Sequence, residues 1–203
     1  MSDIGTTDLG TTGLDPALAR SALDVAPLPG LGADVAALPS RGMVTLRGDL
    51  ADAGFAAALE AATGCAVPDV RRSSEAGDNR ALWMSTDEVL VFCDWPSAPG
   101  MVATFMEKAG DAHVLALDVS DARAVFRIEG AKAWRVLAKG APVDLAPGQF
   151  EIGDVRRTRI ATVAAGIVKT GDEAFEVFCF RSYAAYLWNW LNVGAGAESL
   201  SDL

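Results

Sequence analysis

Two short segments of this chain are apolar on both sides, and they restrict the fold more than any other feature. In DEVLVFCD, residues 87–94, Val89, Val91 and Cys93 point one way while Leu90 and Phe92 point the other. In FEVFCF, residues 175–180, Phe175, Val177 and Cys179 oppose Phe178 and Phe180. A strand with apolar side chains on both faces must be covered on both faces. Either two sheets of one chain stack together, or another chain covers the second face.

The elements around these strands occur twice. MVTLR reads as a strand, followed by a helix in LADAGFAAALEAATG, where Phe55, Ala58, Leu59 and Ala62 recur at helical spacing and Gly64 marks a stop. The polar stretch 68–79 reads as a loop. RALWMS and DEVLVFCD read as strands, APGMVATFMEKAG as a helix and HVLALDVS as a closing strand. The order then restarts with strand RAVFRIEG and helix GAKAWRVLAKG. A loop over 141–155, strands RTRIATVAAGIVK and EAFEVFCFR, and a final helix SYAAYLWNWLN follow. Gly48 and Gly130 lie 82 residues apart, and Cys93 and Cys179 lie 86 apart. A nearly constant offset over two elements predicts an internal duplication. The expected fold is α+β: two similar β-α-β-β-α lobes, about 41–119 and 120–203, with antiparallel or mixed sheets.

Residues 1–40 differ in character. They are rich in Gly, Ala, Pro, Asp and Thr, and five aspartates against one arginine give them a net charge near −4. The spaced leucines and valines of LDVAPLPGLGADVAAL predict a flexible arm that becomes ordered against a partner.

Charge and chemistry narrow the function. A net charge of −10 at pH 7 repels phosphate backbones and anionic lipid, which argues against nucleic acid and membrane surfaces as partners. No apolar run reaches the roughly 20 residues needed to span a bilayer, and the N-terminus lacks the features of a secretory signal. These features predict a cytoplasmic chain. The three cysteines, Cys65, Cys93 and Cys179, lie far apart and read as reduced, buried thiols. His113 is the only histidine, so a metal cluster or a nucleophile–histidine pair is hard to assemble. No phosphate-binding or nucleophile-elbow motif is present. The sequence therefore nominates no catalytic, cofactor-binding or metal-binding residue.

A combination of motifs carries a resemblance. Val119-Ser120 with Arg123 opens a strand; Gly130, Leu137 and Gly140 frame a helix; and Pro142 with Asp144-Leu145 forms a loop. Arg157-Thr158 opens another strand, and Arg181-Ser182-Tyr183-Ala184 starts the last helix. With Leu82–Phe92, these segments resemble the gamma subunit of heterotetrameric sarcosine oxidase over most of residues 80–193. The chain departs from the family pattern at Ser85-Thr86, Val89 and Tyr183, and at Ala146, where a histidine commonly stands.

The resemblance implies a structural, non-catalytic subunit with a fold like the folate-binding domain of aminomethyltransferases. It further implies a cytoplasmic complex with alpha, beta and delta subunits that oxidatively demethylates sarcosine. FAD, FMN, NAD, zinc and tetrahydrofolate would be held by those partners. The alternative is a folate-binding or aminomethyltransferase-like one-carbon enzyme. Its pterin would need a carboxylate and an aromatic wall, for which Asp118, Asp144, Glu173 and Trp83 are available.

The aromatic stretch VFCFRSYAAYLWNWL, residues 177–191, reads mostly as core. Tyr183, Tyr186, Leu187, Trp190 and Leu191 fall on one helical stripe, with Ser182 as its N-cap. Trp188 lies off that stripe and is expected at a subunit interface, so that Trp188→Ala should weaken assembly and spare the isolated fold. Arg181 is expected to pair at the strand–helix corner. Arg181 and Arg157 complete the candidate interface.

Overall fold

The computed structural model describes residues 21–23, 25–27 and 29–196. The first lobe contains β2 (Gly42–Arg47), α1 (Ala53–Thr63), β3 (Ser73–Ala76), β4 (Asn79–Ser85), β5 (Glu88–Cys93), α2 (Ala98–Ala109) and β6 (Leu115–Asp118), preceded by β1 (Asp34–Ala37). The second contains β7 (Arg123–Glu129), α3 (Ala133–Ala138), β8 (Val155–Ile160), β9 (Val163–Gly171), β10 (Ala174–Phe180) and α4 (Ala184–Gly196).

The two-sided strands β5 and β10 lie at the centres of two five-stranded antiparallel sheets, ordered β3-β4-β5-β2-β6 and β1-β7-β10-β9-β8. Each sheet is covered by helices on one face, and the other two faces meet. Met43, Leu82, Leu90 and Phe92 of the first sheet pack against Val125, Val155, Val168 and Phe178 of the second. Phe92 and Phe178 meet edge to face across this layer, with ring centroids 5.5 Å apart. The chain thus covers its own strands in an α-β-β-α stack, and of the two solutions open to the sequence it takes the first. All six of β5's residues are buried as a result.

The duplication extends to hydrogen-bond register. Gly42 pairs with Cys93 and Arg47 with Glu88 in the first lobe; Ala124 pairs with Cys179 and Glu129 with Ala174 in the second. The closing strand that the sequence shows only for the first lobe has a counterpart in the second. In the first lobe β6 follows α2 and pairs with β2. In the second, the equivalent position beside β7 is taken by β1, from the other end of the chain.

That strand corrects the expected arm. Ala33 and Val35 are fully buried, and residues 34–37 are an integral edge of the second sheet. Residues 1–20 of the expected arm lie outside the described residues. Two further strands escape the sequence pattern. β3 is polar and pairs with β4 in a hairpin whose turn contains Gly77 at φ 57°. The single strand expected over 157–169 is in fact β8 and β9, reversed at Ala161, which adopts φ 51° without being a glycine.

Helix α1 forms where its stripe predicts. Asp52 caps it by accepting a 2.9 Å hydrogen bond from the Phe55 amide, Gly64 closes it at φ 76°, and Phe55, Ala58 and Leu59 are buried. Phe55 meets Phe105 of α2 edge to face at 5.3 Å. Among the described residues no helix is long and apolar enough to cross a membrane.

Candidate functional site

The inter-sheet layer is apolar in its middle and polar at its ends, where charged side chains from both lobes converge. At one end Glu176 of β10 accepts from Arg41, ahead of β2, at 3.1 and 3.4 Å, and from Arg80 of β4 at 3.2 Å. Arg80 also bonds Glu75 at 2.6 Å. Arg41 lies over the Phe92 ring, 5.1 Å from its centroid. One carboxylate from the second lobe thus holds two guanidiniums of the first. The cleft they border encloses about 460 Å³ and is also lined by Asp78 and Asp94.

At the other end Glu88 is nearly buried and accepts from Arg47 at 2.9 Å, while Arg157 of β8 stands 4.0 Å away. Arg157 donates to the Met84 carbonyl at 3.1 Å, a second cross-lobe bond. Arg123 lies over Phe178 and Phe180, 5.7 and 5.0 Å from the ring centroids. Burial pulls the Arg123 pKa below the ordinary guanidinium value, and Glu88 opposes that fall. A groove of about 260 Å³ opens here, lined by Met84, Arg123, Arg157, Gly166, Phe178 and Phe180 among others.

A strap joins the lobes along the β3 and β8 edges. Ser73 donates its amide to Gly153 at 2.7 Å, Val155 donates to Arg71 at 2.8 Å, and Arg72 pairs with Asp154 at 2.6 Å. Burial pushes the Asp154 carboxyl up, but hydrogen bonds from the Glu151 amide and Arg72 outweigh it and hold the pKa below the usual value. A carboxyl depressed in the folded state stabilises fully above its unfolded pKa of about 3.9, and the gain disappears as pH falls through the folded value. Acidification below about pH 4 should therefore destabilise the native chain more steeply than Asp154→Asn, by roughly 1 kcal/mol. Denaturant titrations across pH check this; parallel pH profiles would contradict it.

The residues nominated from sequence are distributed as follows. Arg181 pairs at the corner, donating to Asp121 at 3.4 Å and to the Ser21 carbonyl at 3.3 Å. Arg157 is exposed and lines the groove described above. Trp188 is a correction: it is buried within its own lobe against Phe126, with ring centroids 6.1 Å apart. The helix enters through a 3-10 turn at Arg181–Tyr183 and begins at Ala184, so Ser182 is not its N-cap. Its buried face is Ala184, Leu187, Trp188, Leu191 and Ala195, whereas Tyr183, Tyr186 and Val193 are exposed.

Asp118, Asp144, Glu173 and Trp83 sit on separate elements and line neither end of the sandwich. Asp118 is taken up by the Ser120 amide and hydroxyl, and Asp144 by the Ala146 amide. Ser85, at a departure from the family pattern, bonds Asp87 in the β4–β5 turn. His113 is exposed beside Leu115. The three thiols are buried and unpaired. Burial pushes Cys93 up to about 12 and Cys179 up to about 11, which leaves both protonated and unreactive near neutrality. Among the described residues no group of three or more His, Cys, Asp or Glu is placed to hold a metal. The role of Arg123 and Glu88 was missed, since nothing in their sequence neighbourhoods shows that they face one another.

Comparison with known proteins gives this architecture its place. In solved structures the chain is similar to heterotetrameric sarcosine oxidase from Corynebacterium sp. U-96 in complex with pyrrole 2-carboxylate. The TM-score is 0.75 at 25% identity, covering 84% of this chain and 86% of that one. The glycine cleavage system aminomethyltransferase T from Bartonella henselae shares the fold, with TM-score 0.59 at 14% identity over 90% of this chain and 47% of that one. The sarcosine oxidase subunit gamma of Corynebacterium sp. strain U-96 is 30% identical over 138 residues, 66% of each chain. That of strain P-1 is 30% identical over 152 residues, 73% of this chain and 72% of the other. Residues 47–198, three quarters of the sequence, match the family described as sarcosine oxidase, gamma subunit family, and the chain belongs to that family.

Proposed function

We propose that this chain is a structural, non-catalytic gamma subunit within a cytoplasmic heterotetrameric sarcosine oxidase. In this reading the assembly demethylates sarcosine oxidatively to glycine, passes the one-carbon unit to tetrahydrofolate or releases it as formaldehyde, and produces hydrogen peroxide. Its alpha, beta and delta subunits hold the FAD, FMN, NAD, zinc and tetrahydrofolate. The observation that carries the reading is the fold likeness to the heterotetrameric enzyme over 84% of the chain, together with the family match. The chain's own chemistry supports it. The cross-lobe pairs of Glu176 with Arg41 and Arg80 and of Arg72 with Asp154 hold the two sheets together, and Tyr186 and Val193 on the outer face of α4, with Tyr183 just ahead of it, offer exposed apolar area of the kind subunit contacts use. The folate-enzyme reading has only the fold behind it, because its four nominated residues do not converge.

Co-expression with the larger subunits tests the proposal. The chain should co-elute with them as a stoichiometric complex that produces peroxide from sarcosine, and should be missing from any pool that lacks them. A monodisperse monomer that never joins them would overturn it.

A further inference from the structure

Arg123 is held in a way that the packing of the fold does not account for. Its guanidinium lies against two phenylalanine rings, and its Nε is buried with no hydrogen-bond partner. A buried donor left unmatched is costly, and more so when it is charged. The surrounding charge does not balance either. Arg47, Arg123 and Arg157 gather around two carboxylates: Glu88, bonded to Arg47 at 2.9 Å and 4.0 Å from Arg157, and Asp87, whose charge acts on Arg47 and Arg157. The locale carries one surplus positive charge in a chain whose net charge is −10.

The groove beside these residues has an apolar body. Phe180, Met84 and Ala164 line it, the buried Phe178 ring covers Gly166 behind them, and no acidic side chain is in the lining. Two guanidiniums at a flat apolar slot match a planar anion, because their donors fork in the geometry of a carboxylate. The phosphate-binding alternative lacks the backbone amides of a helix N-terminus or nest.

We propose that this groove, between the β7–β10 and β4 faces, binds a small organic carboxylate with a flat apolar body. The carboxylate sits between the guanidiniums of Arg123 and Arg157, and the body lies along the exposed Phe180 ring over Ala164. The inference stands apart from the assembly proposed above, since it concerns the isolated chain and fails or succeeds on its own.

Benzoate is the probe, titrated into the full chain and followed by amide chemical shifts and calorimetry. It should saturate at millimolar concentration, shift Ala164 and Phe180 first, and bind about tenfold more weakly to Arg123→Gln and to Arg157→Gln. Arg157 is exposed, so Arg157→Gln carries the test where Arg123→Gln fails to fold. Benzylamine should not bind. Absence of saturation, unchanged affinity in Arg157→Gln, or equal binding of benzylamine or inorganic phosphate would overturn the proposal. So would binding to the chain alone that disappears in a co-purified complex, which would make the groove a subunit contact.

Discussion

Trp188→Ala is expected to destabilise the isolated chain by about 3–5 kcal/mol, the range for removing a buried tryptophan. Trp188 is 8% exposed, and its ring fills the space between α4 and Phe126 of β7. Around it, Ala184, Leu187, Leu191 and Ala195 of the same helix complete the face that covers the second sheet. Nothing nearby is placed to collapse into the gap, because Gly194 and Ala195 are too small. Tyr186→Ala, at a residue 44% exposed, should change stability by no more than about 0.5 kcal/mol. Urea midpoints of the two variants measured without any partner decide the matter. A Trp188→Ala protein as stable as the parent would mean that the ring is held by another chain after all.

The misplacement of Trp188 has a physical origin. Leu187 and Leu191 belong to two competing stripes on α4: one takes in Tyr183, Tyr186 and Trp190, the other Ala184, Trp188 and Ala195. Weighing stripes by ring area selects the first. The fold selects the second, because α4 must approach α3 closely and small residues permit that. A side chain at Gly194 would meet Val136 at 3.0 Å. A different limit applies to β1. Its short alternation in DVAA is too weak to read as a strand, and its partner β7 lies about 90 residues further along the chain. The duplication contains the clue, since the first lobe closes with a strand after α2 and the repeat pattern then calls for a counterpart beside β7. That the second face of each sheet must be covered was legible because two-sided strands are rare and demanding; that the chain's own second sheet covers it was not. Arg123 and Arg157 were visible only as separate motif residues, and it is the stacking of β4 over β7–β10 that brings them to one groove.

Gly166→Val is expected to cost about 3 kcal/mol, at the upper end for overpacking a filled core. A Cβ at Gly166 would lie 2.0 Å from the Phe178 ring, well inside contact distance. The ring cannot retreat, because Phe92 of the other lobe abuts it at 5.5 Å and Arg123 packs on its side. The glycine is not required for its backbone angle, so the penalty is steric and should be relieved by shortening the opposing side chain. Phe178→Leu alone leaves a partial cavity and removes the edge-to-face pair; combined with Gly166→Val, the new methyl groups occupy part of that cavity. The double variant should accordingly be more stable than the sum of the single losses predicts, by about 1 kcal/mol or more. Strict additivity would show that Gly166 and Phe178 do not share one volume. The floor of the arginine groove would then rest on something other than that ring, and the two sheets would be free to shift over one another where the structure locks them.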